Sequence, residues 1–410
     1  MEANGKEGDQ PGEGADRDPR SETASHKQRM KSLERQTRIE PVNGHSLVAL
    51  PPLALRLLLS IHVGQQMSSP TSASVLQTHQ LIENHSILIR DEIYGEELVH
   101  EPVLVELLQS PEVQRLQGIC QYGVTAFLGL TPRVTRLEHS VGAFILVRRV
   151  GATIEEQVAA LLHDISHTTL SHVMDHALSK PREESYHEVH KARYLKMTRL
   201  PDILARYGIN QKVFAEELFP LVEMPSPQLC ADRLDYALRD TVSFGKLPIQ
   251  DARRVVGSLQ AFPSATATRR LLVLDDPDIA LILSRAYITT DKEIWSNPAH
   301  IDMCERTGQV ISELVEAGSV DDKVLWQVSD AEFWTLLRQA ASPKQLRAIE
   351  RLEEEGIPEE NGLRLPHCAK IRTLDPDVWQ GERQPAPLSM VLPTWKSELQ
   401  QYILSRSQHR

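Results

Sequence analysis

Apolar residues show no sustained period between Met1 and about His79, whereas from Ile87 onward they recur at the three- and four-residue spacing of amphipathic helices. The first segment is rich in charged residues, serine and glycine, and it offers no apolar face to bury. We therefore expect a disordered N-terminal arm over residues 1–79, with order beginning at or just before Ile87.

Helical signals continue from Pro111 to Val315 and, more weakly, beyond Ser319. Pro111 suits the first turn of one helix, and residues 140–150 and 154–163 favour two more. The run RRLLVL at 269–274 is β-prone and is followed by Asp-Asp-Pro, which predicts a strand that enters a new helix. The pattern as a whole predicts an all-α fold class, mainly helical with a few short β-strands.

Composition narrows the possible environments. The chain has 410 residues, of which 41% are hydrophobic, so it can form a sizeable core. A net charge of -11 argues against a surface that coats nucleic acid, although binding through a local basic pocket stays open. Four dispersed cysteines and the lack of an apolar leader favour the cytoplasm or nucleus. The most apolar stretch, residues 47–63, contains Pro51 and Pro52, so we expect no membrane span.

The segment LLHDISH at 161–167 is the most informative for chemistry, because an apolar helical stretch ends in an adjacent imidazole and carboxylate. Such a pair suits a divalent transition metal. An isolated His-Asp dipeptide is common by chance, and His163 could be a hydrogen-bonded core residue. Two further segments, TRLEHS at 135–140 and ADRLDY at 231–236, add a histidine and a carboxylate on other predicted helices, so three distant segments could surround one ion.

These segments, with QRLQGICQYG at 114–123 and YHE at 186–188, occur in the order found in a known family. The sequence resembles the HD superfamily of metal-dependent phosphohydrolases over roughly residues 87–315, and within it the SAM-and-HD-domain deoxynucleoside triphosphate triphosphohydrolases. No SAM-domain pattern is recognisable in the arm. The resemblance implies an HD phosphohydrolase core at 80–250 and a helical C-terminal extension at 251–410 that completes the substrate pocket. It also implies four metal ligands: His139, His163, Asp164 and Asp232.

The same resemblance assigns roles to a second imidazole group. It places His167 and His172 beside the substrate phosphates, with His172 as general acid or base and His187 close by. Asp175 could orient His172. If residues 163–167 are helical, His167 shares a face with His163, and the alternative is that it only packs against or supports this ligand.

Substrate contacts are implied in the same way. Arg136, Arg233 and Arg285 correspond to phosphate-binding positions, although an exposed ion pair is an alternative for Arg136. On a helix, Asp232, Tyr236 and Asp240 form one stripe that can face a single cleft. The resemblance implies that the tyrosine and the second acid contact the sugar of a nucleoside there. Core packing is the alternative for Tyr236. Gln121 matches a glutamine that contacts the sugar or base.

Two departures limit the resemblance. After Arg285 the chain has RAYITTDKEIWSNPAH, with Glu293 and Trp295 at the approximate positions of a Tyr and His-Lys cluster in the animal enzymes, so triphosphate as the exact substrate is uncertain. Gln109 and Gln117 replace the acid and arginine of the animal guanine-regulatory site. We therefore expect no requirement for GTP.

The predicted function is metal-dependent hydrolysis of deoxynucleoside triphosphates to deoxynucleoside and triphosphate. The alternatives are a nucleotide monophosphatase or other phosphoesterase of the superfamily, and a catalytically silent scaffold that keeps the fold for binding. The expected cofactor is a divalent ion, Fe, Mn, Zn or Mg. The expected partners are a nucleotide substrate and further copies of the chain in a homo-oligomer.

Overall fold

The structure is a computed structural model that describes residues 86–180, 183–366, 369–381 and 384–408. The predicted arm at 1–79 and the apolar stretch at 47–63 lie outside these ranges. The described chain is mainly helical, which confirms the predicted fold class. Each helix within the described ranges is too short or too polar to cross a lipid bilayer.

Sixteen α-helices can be assigned in the described residues. Those before residue 250 begin and end as follows: α1 Pro102–Gln109, α2 Pro111–Gln114, α3 Val124–Phe127, α4 Arg136–Arg149, α5 Ile154–Leu162, α6 Val173–Leu178, α7 Tyr186–Leu195, α8 Leu200–Arg206, α9 Ala231–Ser243 and α10 Ile249–Ser258. The later ones are α11 Pro277–Thr290, α12 Pro298–Glu316, α13 Asp330–Ala340, α14 Pro343–Glu355, α15 Leu388–Val391 and α16 Pro393–Gln408. A single π-helical turn, Asp291–Trp295, follows α11 directly.

Six short strands in the described part of the chain form two sheets. The strands are β1 Ile87–Asp91, β2 Gly95–Val99, β3 Leu259–Phe262, β4 Leu271–Leu274, β5 Asp377–Val378 and β6 Ala386–Pro387. The first two form an antiparallel hairpin, and the others form a sheet in the order β3-β4-β5-β6, in which only the pairing of β4 with β5 is parallel. The sequence-predicted strand at 269–274 corresponds to β4, and the chain then enters α11 with Asp276 as its N-cap and Pro277 in the first turn.

The helices that carry the site begin at defined caps. Thr135 and Glu138 form a capping box at the start of α4, because each side chain accepts a hydrogen bond from the other residue's backbone N–H. The start of α4 therefore lies four residues before the predicted Ser140. Helix α5 begins at Ile154, as predicted, with Thr153 as its N-cap. It ends at Leu162, one residue before the predicted end.

Two short segments show how local and tertiary contacts set helix length. Pro111 begins a helix as predicted, but α2 has only four residues and the chain continues as a 3-10 turn over Arg115–Gly118. The acidic run ending at Glu355 forms the last turn of α14. There, Glu353 accepts hydrogen bonds from the Trp334 indole at 2.8 Å and from Arg338 at 2.6 Å, so these contacts between helices hold it in helical form.

One hydrophobic core extends through the described chain, from Ile87 and Ile89 in β1 to Trp395 in α16. Helices on both sides of residue 250 contribute to it, including the fully buried Phe144 and Tyr287. The C-terminal residues therefore share the core of the helices that carry the HD segment.

The closest approach of α4 to α9 occurs at Gly142. A Cβ atom built on this glycine would lie 1.7 Å from Oδ1 of Asp235 and 2.5 Å from the Arg239 guanidinium. Only glycine leaves room for these two buried side chains against the α4 backbone. Gly142 thus sets the separation of the two helices that supply His139 and Asp232.

We predict that Gly142→Ala lowers the free energy of unfolding by at least about 1–3 kcal/mol, because the added methyl group overpacks this contact. Gly257→Ala is the matched control, since its Cβ would meet no atom within 4 Å in α10. The control should stabilise the protein by about 0.4–1 kcal/mol through loss of unfolded-state entropy. Urea unfolding of both variants measures the difference, and equal stability would contradict the proposed packing constraint.

Candidate metal centre

The structure brings the four predicted metal ligands together from three separate segments. Nε2 of His139 lies 3.0 Å from Oδ1 of Asp232 and 3.1 Å from Nε2 of His163. Asp164 approaches the same point, with its Oδ2 3.5 Å from the His139 nitrogen and its Oδ1 3.8 Å from the His163 nitrogen. Two imidazoles and two carboxylates therefore face one another across a small volume.

The outer nitrogens of both histidines are held by acceptors. Nδ1 of His139 donates to the Asp235 carboxylate at 2.8 Å, and Nδ1 of His163 donates to the Ala160 carbonyl at 2.8 Å. These bonds place a proton on each Nδ1 and leave each Nε2 lone pair directed to the centre. Metal-binding histidines are oriented by the same kind of bond. The donor set and its orientation thus fit a divalent transition ion.

Charge in the cluster also favours a cation. Burial alone would lower the pKa of His139, but hydrogen bonds to Asp232 and Asp235 outweigh it and raise the pKa to about 10. Burial likewise opposes ionisation of Asp232, yet the two histidines hold its pKa well below the usual range. The ionised carboxylates thus stabilise positive charge in the cluster, and a bound metal ion supplies such charge.

Asp235 is part of a buried network behind the ligands. It accepts hydrogen bonds from the Tyr94 hydroxyl at 2.7 Å and from Nε of Arg239 at 3.0 Å, in addition to the bond from His139. Arg239 in turn donates to Asp91 of the β-hairpin at 2.7 Å. This network fixes the His139 ring from α9 and from the hairpin.

Arg136 is buried and contacts a predicted ligand directly. Its Nη1 donates to Oδ2 of Asp164 at 2.6 Å, and its Nε donates to the Ser171 hydroxyl at 3.0 Å. Burial would raise the pKa of Asp164, but its contacts with His167 and with the Arg136 guanidinium hold it well below its usual range. The ion pair is therefore internal to the site, which differs from the exposed pair considered as an alternative.

The second imidazole group lies on one side of the cluster. The rings of His167 and His187 stack with centroids 3.6 Å apart, and His172 meets His167 edge-on at 5.1 Å. Nδ1 of His172 lies 2.9 Å from Oδ2 of Asp175, which also accepts from the Tyr186 backbone N–H through its other oxygen at 2.8 Å. Asp175 is thus placed to orient His172.

The local backbone differs from the helical geometry considered for residues 163–167. Because α5 ends at Leu162, His163 and His167 follow it in turns and do not share a helix face. His167 instead reaches Asp164, with 3.4 Å between its Nε2 and the carboxylate Oδ1. Burial and the Arg136 charge hold the pKa of His167 well below its usual value, so this imidazole is neutral.

A cavity of about 620 Å³ opens over the cluster. The residues that line it and that were predicted from the sequence are Gln121, Arg136, His139, His163, Asp164, His167, His172, His187, Asp232, Arg233, Tyr236 and Asp240. The Tyr236 hydroxyl lies 2.7 Å from that of Tyr287, and Asp240 accepts from Tyr122 at 2.6 Å and from the Trp295 indole at 2.7 Å. Burial raises the pKa of Asp240 to about 7 despite these two hydrogen bonds.

Two of the predicted phosphate-binding arginines are engaged elsewhere. Arg285 does not line the cavity; it is about half exposed and forms a bidentate ion pair with Glu398 of α16 at 2.6 and 2.8 Å. Arg233 lines the cavity, but its Nη1 donates to the backbone carbonyls of Met224 and Gln228. The structure therefore brings Arg136 to the centre but places Arg285 outside it.

Sequence reasoning did not identify several residues of the site. Asp235 could have been found, because it lies three positions after Asp232 in the quoted ADRLDY segment. Residues 370–372 line the cavity from the far C-terminal region, where no motif marks them. They are anchored by Asp291, whose Oδ2 accepts from the Arg372 backbone N–H at 3.0 Å and from the Tyr402 hydroxyl at 2.6 Å.

Comparisons with known proteins agree with this geometry. Residues 136–239 match the HD domain family. The chain is 82% identical over 345 residues to the metal-dependent phosphohydrolase cns2 of Cordyceps militaris, which covers 84% of this chain and 100% of that protein. It is 40% identical over 304 residues to the uncharacterized protein YdhJ of Bacillus subtilis, which covers 72% of this chain and 89% of that one. Chicken deoxynucleoside triphosphate triphosphohydrolase SAMHD1 is more distant, at 27% identity over 48% of this chain and 36% of its own length.

We predict that Asp235→Asn weakens metal affinity by about 10- to 100-fold, because the His139 ring loses the carboxylate that orients it. Asp251→Asn in α10 is the control, since that side chain bonds only an exposed arginine, Arg254. Metal titration of both purified variants, with unfolding measured in parallel, tests the effect. An affinity equal to that of the wild type in Asp235→Asn would show that the network does not support the ligand.

Proposed function

The chain belongs to the HD-domain metal-dependent phosphohydrolases, and we propose that it hydrolyses a phosphate ester of a nucleotide at the centre formed by His139, His163, Asp164 and Asp232. The observation that carries the proposal is one cavity in which this cluster lies beside three further imidazoles and an aromatic wall. A volume of about 620 Å³ is in the range of small-molecule sites.

The His2Asp2 set would hold the ion, and the ion would supply Lewis acidity to a phosphoryl oxygen and to the attacking water. The remaining chemistry falls to side chains of this chain. Asp175 accepts a hydrogen bond from Nδ1–H of His172. This leaves Nε2 of His172 to exchange a proton with the substrate or with water. His172 is about half exposed and lines the cavity, so it is accessible to a bound phosphate ester.

His167 and His187 are suited to binding a phosphate as neutral donors. Burial holds the pKa of both imidazoles well below the usual value. Nδ1 of His167 is buried and makes no hydrogen bond within the described chain, whereas Nδ1 of His187 lies 3.2 Å from a carboxylate oxygen of Glu188. An unpaired buried N–H is costly unless a ligand accepts from it, and a phosphate oxygen is such an acceptor.

The part of the cavity wall formed by aromatic residues suits a nucleoside. Tyr236, Tyr287 and Trp295 pack with ring centroids 4.9 to 6.0 Å apart, which presents aromatic surface to a sugar or base. The side-chain oxygen of Gln121 is buried without a hydrogen-bond donor among the described residues. It can accept from a base or a sugar hydroxyl.

A deoxynucleoside triphosphate is the substrate predicted from the sequence, and the similarity to chicken SAMHD1 supports it. A second candidate, a nucleotide monophosphate, is favoured by the charge of the cavity. Of the described residues that line it, four are lysine or arginine and six are aspartate or glutamate. Arg285 is absent from this set, and one nitrogen of Arg233 is held by backbone carbonyls. Fewer free cations suit fewer phosphate groups.

Incubation with deoxynucleoside triphosphates and with nucleoside monophosphates, in the presence of Mn, Fe, Zn or Mg, tests the proposal through its products. Release of triphosphate supports the predicted substrate, whereas release of inorganic phosphate from monophosphates alone supports the second candidate. Turnover of neither class would contradict a nucleotide substrate. Assembly into a homo-oligomer stays a separate prediction, which light scattering would test.

We predict that His172→Ala reduces kcat about 100-fold or more while leaving metal content unchanged, because it removes a general acid or base but no ligand. His100→Ala provides the matched control, since His100 is exposed and does not line the cavity. Turnover of the best substrate and elemental analysis are measured on the same samples. Full activity in His172→Ala would assign this histidine a structural role only.

A further inference from the structure

The turn that presents His172 has an unusual backbone. Leu170 and Ser171 have φ angles of 55° and 49°, and they are the non-glycine residues with positive φ in the described chain. A side chain with a Cβ rarely adopts this left-handed conformation unless surrounding contacts impose it. His172 follows directly as the N-cap of α6, so whatever imposes the turn also determines where this imidazole lies.

A buried carboxylate from the C-terminal part of the chain holds this turn. The Leu170 backbone N–H donates to Oδ1 of Asp330 at 2.7 Å. Asp330 is the first residue of α13 and only 1% exposed, and Ser329 and Glu332 form the capping box around it. Asp330 does not line the cavity, so it cannot contact the substrate there.

The second oxygen of the same carboxylate holds another loop of the site. Oδ2 of Asp330 accepts from the Cys120 backbone N–H at 2.7 Å. Cys120 immediately precedes Gln121 and Tyr122, both of which line the cavity. One side chain therefore joins the loop before Gln121 to the turn before His172.

The two loops also meet at Ser171. Its hydroxyl donates to the Cys120 carbonyl at 2.7 Å and accepts from Nε of Arg136 at 3.0 Å. Since Arg136 bonds Asp164, a shift of the turn would be transmitted to the cation beside the metal cluster. Three groups with predicted roles, His172, Gln121 and Arg136, thus depend on the same junction.

We propose that Asp330 is a positioning residue for hydrolysis, which acts by joining these two loops through paired hydrogen bonds to their backbone. The inference rests on the proposed function of His172 as the proton-exchanging group. The carboxylate is required because two N–H donors converge on it. An asparagine offers one acceptor and turns an NH2 group toward the second donor, which leaves buried polar groups unpaired.

The test compares Asp330→Asn with Asp276→Asn. Asp276 is the matched control, because it also lies at a helix start and accepts from two backbone N–H groups, yet it is remote from the cavity lining. Asparagine caps a helix as well as aspartate does. We expect Asp330→Asn to reduce kcat by about 10- to 100-fold with metal content unchanged, since small misplacements of catalytic groups have effects of this size. The control should match the wild type.

A double variant separates positioning from a general loss of stability. In a His172→Ala background, Asp330→Asn should lower kcat by a smaller factor than in the wild-type background, because residues that act through one another are not additive. The same fold loss in both backgrounds, or unchanged kcat in Asp330→Asn, would overturn the proposal. If Asp330→Asn does not fold, Ser171→Ala breaks the second link between the loops and should show the same non-additivity; additive losses there would overturn it as well.

A readout independent of substrate uses the zinc-loaded protein. The His172 ring resonance, assigned by its loss in His172→Ala, should change its chemical shift at fixed pH in Asp330→Asn and not in Asp276→Asn, because the displaced turn moves the ring relative to His167 and Asp175. An unchanged chemical shift would contradict the positioning role. If the wild type hydrolyses no nucleotide but this resonance moves, the proposed substrate fails and the positioning role stands.

Discussion

The structure depends most on the placement of one buried carboxylate between α4 and α9. Asp235 is 0% exposed and is bonded by a tyrosine, an arginine and the outer nitrogen of His139. A carboxylate in such a place is tolerable only when all its partners are present, because an unpaired buried charge is strongly destabilising. The two helices, the β-hairpin and the metal ligand His139 therefore depend on one another for their positions.

The carboxylates of the site differ in their surroundings. Asp164 is paired with the buried Arg136 and its side chain is 10% exposed, whereas that of Asp232 is 23% exposed. Glu223 also lines the cavity, and partial burial together with the Asp232 charge raises its pKa above the usual value. A cation bound at Asp232 would therefore also favour the ionised form of Glu223.

Local sequence signals predicted the parts of the site that lie on regular helices or directly next to them. The ligands of α4 and α9 and the strand at β4 all leave a short-range pattern. The helix face considered as an alternative for His163 and His167 is not formed, because α5 ends at Leu162, directly before the first of these histidines. Asp330 and residues 370–372 leave no pattern, since their roles come from contacts with residues distant in the sequence. Arg285 shows the reverse case, in which a residue matches a family position but an ion pair with Glu398 holds it elsewhere.

The anchoring of residues 370–372 by Asp291 and Tyr402 has a consequence for the order in which the protein matures on the ribosome. Tyr402 is synthesised after all four predicted metal ligands, which lie between His139 and Asp232. The wall of the cavity formed by Lys370, Ile371 and Arg372 can dock against its anchor only after Tyr402 has left the exit tunnel. A nascent chain can thus gather its metal ligands while this wall of the cavity is still open, and the cavity closes last.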